Sequence, residues 1–197
     1  MKTMTKIVLT GPESTGKSVL TRYLGAAFHA PYQYEYARTY LELRQGHPYT
    51  FDDLREIAHC QFFVRDRNAY PFRPDRPIIF CDTDAVVLQI WAQEKFGAYT
   101  KEATEDLKKH PADLYLLCQP DIAWVPDPLR ENPDDRDRLF IKYRRFLERH
   151  HLNYAIVSGE GEERFRNAAA IVEKFLGYGP EAELKPGDAE AFMKIRR

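Results

Sequence analysis

A chain of 197 residues suits one well-packed α/β domain and is too short for two ordinary ones. A formal net charge of -1 offers no basic surface for nucleic acid, and no apolar run approaches the length that crosses a bilayer. Cys60, Cys81 and Cys118 are odd in number and widely spaced, which fits reduced thiols, and the six histidines show no metal-ligand spacing, so the expected compartment is the cytoplasm.

Strand patterns fall near residues 5–10, 32–36, 77–81, 113–118 and 153–157. Helix patterns fall near 17–28, 36–45, 52–69, 84–96, 136–150 and 163–176. This alternation predicts an α/β fold, a five-stranded parallel sheet with helices on both faces. The last helix is closed by Gly177, so one domain is expected over 1–177, followed by a loosely packed tail over 178–197.

The first strand runs into Gly11–Ser18, GPESTGKS, a full G-x-x-x-x-G-K-[ST] loop that opens the first helix. Gly11 and Gly16 let the backbone curl so that its N–H groups face inward, and the helix N-terminus adds partial positive charge. The expected triphosphate cradle is Gly11, Glu13, Ser14, Thr15, Gly16, Lys17, Ser18 and Val19. Lys17 reaches the β- and γ-phosphates in such a loop, and the Ser18 hydroxyl binds Mg²⁺.

Glu35 ends the second strand pattern, where a carboxylate can take the proton of an attacking hydroxyl; the alternative is a simple preference for the start of the next helix. Asp82 ends the third, in position to face Mg²⁺ beside Ser18, and Asp84 follows it. Helix capping is the competing role for both. Trp124 lies in a loop between Pro120 and Pro126, where its ring could stack on a flat, cationic partner; the other aromatics near the strand ends read as core.

The stretch Asp127–Arg138, DPLRENPDDRDR, is charged and has almost nothing to bury, as a closing lid requires. Asn132 is expected to cap the next helix and Pro133 to open it, with Asp134 and Asp135 in its first turn. Arg130 and Arg136 are the candidates for neutralising a phosphoryl group in flight. Arg138, about 200° around the helix from Arg136, is expected to pair with nearby acids. A self-paired surface cluster is the alternative for all three.

GPESTGKS, Glu35-Tyr36-Ala37-Arg38, Phe80–Asp84 (FCDTD) and Pro120–Asp127 (PDIAWVPD) together resemble the nicotinamide-riboside kinase domain of NadR-type proteins, in order from about Lys6 to Leu176. The resemblance implies a P-loop kinase fold with an arginine-bearing lid at about 127–138, and ATP- and Mg²⁺-dependent phosphorylation of the ribose 5′-hydroxyl of nicotinamide riboside. It implies phosphate and metal roles for Lys17 and Ser18, a metal-side role for Asp82, and acceptor-side roles for Glu35 and Arg38, with Trp124 stacking on the pyridinium. Asp84 is kept as a further acceptor-side candidate. The family's full-length proteins carry a nucleotidyltransferase domain ahead of the kinase, so adenylyl transfer is expected to be another protein's work. Asp127–Asn132 departs from related lids, which carry glycine near that point. A kinase for another nucleoside or small alcohol is the nearest rival. A regulatory P-loop ATPase is a rival of another class, although the guanine-reading [NT]-K-x-D motif of a GTPase switch is lacking.

Overall fold

The computed structural model describes residues 4–68, 75–131 and 134–182. The elements, in chain order, are β1 (Thr5–Thr10), α1 (Lys17–Ala27), β2 (Tyr32–Gln33), α2 (Tyr36–Leu43), α3 (Phe51–Asn68), β3 (Ile78–Asp82), α4 (Ala85–Phe96), α5 (Lys101–Lys109), β4 (Leu114–Cys118), α6 (Arg136–Arg149), β5 (Tyr154–Val157) and α7 (Gly161–Leu176).

All pairings are parallel, and the strand order is β2-β3-β1-β4-β5. The central strands are buried on both faces, which is why they read as unbroken apolar runs. Their side chains still alternate. Ile7, Leu9, Ile78, Phe80, Leu114 and Leu116 pack with α1 and α7 on one face. Val8, Ile79, Cys81, Tyr115 and Leu117 pack with α3, α4, α5 and α6 on the other. The chain leaves β1 between two strands reached by connections in opposite directions, so the carboxyl end of the sheet opens a crevice there. The expected five-stranded sheet is present, and no helix among the described residues is long and apolar enough to cross a membrane.

Three elements differ from expectation. Helix α5 was not anticipated, because only Ala103, Asp106 and Leu107 of its nine residues are buried. Its usable signal was Thr100, whose hydroxyl caps the Ala103 N–H at 3.3 Å. Asp106 belongs inside because Arg65 of α3 pairs with it bidentately, at 2.7 and 2.8 Å, with both side chains 6% exposed. Arg65→Met is expected to cost about 3–5 kcal/mol by stranding that carboxylate, and the double change to Arg65→Met/Asp106→Leu much less. Urea titration of the two variants checks this.

Helix α6 begins at Arg136 with Asp135 as N-cap, which moves Asp134 and Asp135 out of the first turn. Asn132 and Pro133 lie outside the described residues. The start of the expected tail is tied down: the Glu181 and Ala182 N–H groups donate to the Ala27 carbonyl, and Arg76 pairs with Glu181 and lies 4.5 Å from the Tyr178 ring centroid. Residues 183–197 lie outside the described residues.

Candidate functional site

The loop between β1 and α1 is shaped by what holds its carbonyls. Lys17 Nζ donates to the carbonyls of Gly11 (3.0 Å) and Pro12 (2.7 Å), and Thr15 Oγ1 also donates to Pro12 (2.7 Å). Arg136 takes the Ser14 carbonyl at 3.1 Å, and Arg164 the Thr15 carbonyl at 2.8 Å. In a trans peptide the N–H points opposite to its carbonyl, so the held carbonyls of Pro12, Ser14 and Thr15 fix the direction of the Glu13, Thr15 and Gly16 N–H groups. Ser14 at φ +56° and Gly16 at φ +78° supply the left-handed steps this curl needs. Gly11 has φ +126°, and a Cβ on it would meet the Cys118 carbonyl oxygen at 2.8 Å, so the loop can lie against the end of β4 only with glycine there. Ser18 occupies the first turn of α1, and Val19 packs its side chain on the α1–α7 core.

On the other side of β1, a residue the motifs did not flag organises the strand ends. Gln61 of α3 is 1% exposed. Its side-chain oxygen accepts from the Tyr36 N–H (2.7 Å), and its amide donates to the carbonyls of Tyr34, Asp82 and Thr83 at 3.3–3.4 Å. The tips of β2 and β3 are thereby joined. Thr83, β-branched yet at φ +76°, holds a backbone shape that costs about 1–3 kcal/mol. That shape brings its hydroxyl to the Glu35 carboxylate at 3.4 Å. Asp82 is fully buried as the last residue of β3, opposite Leu9 of β1. Asp84 caps α4. One of its oxygens accepts from the Val86 N–H (2.9 Å) and the other from the Tyr115 hydroxyl (3.0 Å), at 2% exposure. Burial raises its pKa, against the pull of Lys6 and of those two donors.

The stretch after β4 lies on the phosphate loop. The Val125 N–H donates to Ser14 Oγ (2.9 Å), and the Glu131 N–H donates to the Glu13 carboxylate (2.9 Å). Arg130 reaches Ser14 Oγ (3.3 Å) and the Val125 carbonyl, while Arg136 also donates to the Ile122 carbonyl (2.9 Å). Their guanidinium carbons stand 5.9 and 5.7 Å from the Trp124 ring centroid, within cation–π range. Arg38 grips Asp127 with two bonds, at 2.7 and 3.3 Å. Burial works against both charges of that pair, yet Asp127 holds the Arg38 pKa up and Arg38 holds the Asp127 carboxyl down. The buried Nε of Arg38 has no hydrogen-bond partner among the described residues.

Arg138 points the other way, to Asp135 and to Glu94 of α4, where Lys142 joins it. The Arg138 hydrogen bonds outweigh partial burial and hold the Glu94 carboxyl at about 2, against an ordinary 4.5. Because the folded pKa is the lower one, this support is complete above pH 4.5 and is lost as the pH falls toward 2. The melting-temperature gap between the parent and Glu94→Gln is therefore expected to close over that interval.

The donor set suits Mg²⁺: a serine hydroxyl and an aspartate carboxylate are hard oxygen ligands, leaving the other positions to phosphates and water. Among the described residues, no group of three or more His, Cys, Asp and Glu could hold a metal by itself.

Residues 6–164 match the model of a family described as AAA domain. The trifunctional NAD biosynthesis/regulator protein NadR of Escherichia coli (strain K12) is 25% identical, over 87% of this chain and 42% of that protein. Its counterpart from Salmonella typhimurium is 23% identical over the same shares. The chain thus spans about two-fifths of the length of these curated relatives. A solved NadR protein in complex with NAD and AMP-PNP superposes at TM-score 0.69 and 25% identity, covering 92% of this chain and 51% of that one. A NadR protein in complex with NR gives 0.69 at 24%, covering 92% and 52%. Shikimate kinase from Acinetobacter baumannii, in complex with shikimate, shares the fold at TM-score 0.51 and 16% identity, covering 89% and 94%. The motif resemblance therefore holds along most of the chain, on a P-loop kinase fold.

Proposed function

The chain belongs to the AAA domain family, and from that premise we propose that it is an ATP- and Mg²⁺-dependent kinase that phosphorylates the ribose 5′-hydroxyl of nicotinamide riboside. The observation that carries this reading is convergence. The four motif blocks meet at the carboxyl end of one sheet, with a cationic phosphate loop on one side of β1 and the Glu35 carboxylate on the other. The relatives bring the substrate class: NadR proteins have been solved with NR and with NAD and AMP-PNP.

In this reading the inward N–H groups of residues 13–18 and Lys17 hold the triphosphate. Ser18 and Asp82 would hold Mg²⁺, which would supply positive charge to the phosphate oxygens. Glu35, steadied by Thr83, accepts the proton of the attacking hydroxyl. Arg130 and Arg136 face the transferring group and stabilise its charge. Arg38, with its spare Nε donor, and Trp124 line the acceptor side. The kinase unit is residues 1–177, with its lid at about 127–138.

The test is ADP release from ATP and Mg²⁺ with nicotinamide riboside, beside uridine, cytidine, adenosine, thymidine and no acceptor. Release with nicotinamide riboside alone is the expected result. Release with another nucleoside keeps a kinase and moves its substrate, and equal release with and without acceptors makes the chain an ATPase. Trp124→Ala is expected to raise the acceptor KM more than the ATP KM. A fall in kcat with both KM values unchanged would assign the ring to holding Arg130 and Arg136 instead.

A further inference from the structure

Arg164, in the first turn of α7, is a charged residue 3% exposed. Such burial is costly unless the charge is well bonded. One end of the guanidinium, Nη1, meets Asp121 at 2.5 Å and the Gly159 carbonyl at 3.0 Å. The other, Nη2, donates to the carbonyls of Thr15 (2.8 Å) and Gln119 (2.9 Å). The second oxygen of Asp121 accepts from the Gly159 N–H at 2.7 Å. One fork thus fastens together the phosphate loop, the exit of β4 and the exit of β5. A lysine, with three donors on a single nitrogen and no planar fork, cannot hold the three carbonyls and the carboxylate in this geometry.

We infer that Arg164 is a positioning residue for the nucleotide's phosphates, acting through the peptide between Thr15 and Gly16. Its grip on the Thr15 carbonyl turns the N–H of Gly16, in the same peptide plane, toward the inside of the loop. Gly16 lies directly against it, since a Cβ there would stand 3.8 Å from Arg164 Nε. Asp121, in the loop leading to the lid, keeps the guanidinium charge compensated while its nitrogens face the carbonyls. Freed of Arg164, the Thr15–Gly16 peptide can flip and present an oxygen to an anion. The inference rests on the nucleotide half of the proposed function and needs no acceptor.

The test is calorimetric titration of ATP, and separately of inorganic tripolyphosphate, into the full chain and its Arg164→Ala and Arg164→Lys variants. Both anions are expected to bind at least about tenfold more weakly to either variant, since the peptide and not the base is disturbed. Added guanidinium ion should restore part of the affinity of Arg164→Ala and none for the parent. The Gly16 amide proton, followed by NMR, should shift on ADP binding in the parent and lose most of that shift in Arg164→Lys. Unchanged ATP affinity in a folded variant would overturn the inference. So would a loss seen with ATP and absent with tripolyphosphate. If Arg164→Ala does not fold, Arg164→Lys gives the same readings. A parent that binds neither anion would refute the nucleotide reading itself, whereas binding of ATP without turnover of nicotinamide riboside would refute only the acceptor.

Discussion

Lys17→Ala is expected to lower phosphoryl transfer by at least about a thousandfold while leaving the fold intact. The two halves of that expectation have separate grounds. Among the described residues the Lys17 ammonium bonds carbonyls of its own loop, those of Gly11 and Pro12, and the Pro12 carbonyl keeps the Thr15 hydroxyl when it is removed. Hydrogen bonds to a charged group contribute about 1.5–3 kcal/mol each, so the melt should fall by several degrees while the chain still folds. The activity half follows from charge. In the proposed reading Lys17, on a flexible four-carbon stem, turns from the Gly11 and Pro12 carbonyls to the γ-phosphate, beside Arg130 and Arg136. The measurements are turnover at saturating ATP and a thermal melt. Near-normal turnover would remove the phosphate-loop assignment altogether.

What could be read from the chain beforehand follows local physics. The phosphate loop was legible because its glycines and lysine lie within eight consecutive residues, between an apolar run and a helical period. The centre of the sheet was legible because both faces of β1, β3 and β4 are buried. Arg138 was legible from angular spacing alone: Arg136 turns to Ser14 and Arg138 to Glu94. Gln61 and Arg164 were not, for one shared reason. Each acts through hydrogen bonds to backbone carbonyls at sequence separations of 21–27 and 45–149 residues, and a carbonyl has no signature in a sequence. Helix α5 escaped for a related cause, since the burial of Asp106 depends on Arg65, 41 residues away. Asp84 shows the converse: its capping role is local and was weighed, but the Tyr115 hydroxyl that occupies its other oxygen comes from β4. The alternation that predicts strands locates neither partner.

Asp82→Asn should lose Mg²⁺-supported turnover by about two to three orders of magnitude, the equivalent of roughly 3–4 kcal/mol of charge stabilisation. The substitution keeps the shape of a side chain that is fully buried, and the Asp82 carbonyl bonded by Gln61 is untouched, so the sheet has no reason to come apart. Only the negative charge is withdrawn, and with it the hard ligand that would face Ser18 across the end of β1. The variant should therefore need far more Mg²⁺ for half-maximal rate, and Mn²⁺, which binds nitrogen and neutral oxygen donors more readily, should recover part of the loss. A pure cap or packing residue behaves differently. Its replacement lowers the melting temperature and leaves the Mg²⁺ dependence of the surviving folded enzyme where it was. The metal titration, run beside the melt, thus decides between the two roles weighed for Asp82, because charge at a metal site and shape at a strand end fail in distinguishable ways.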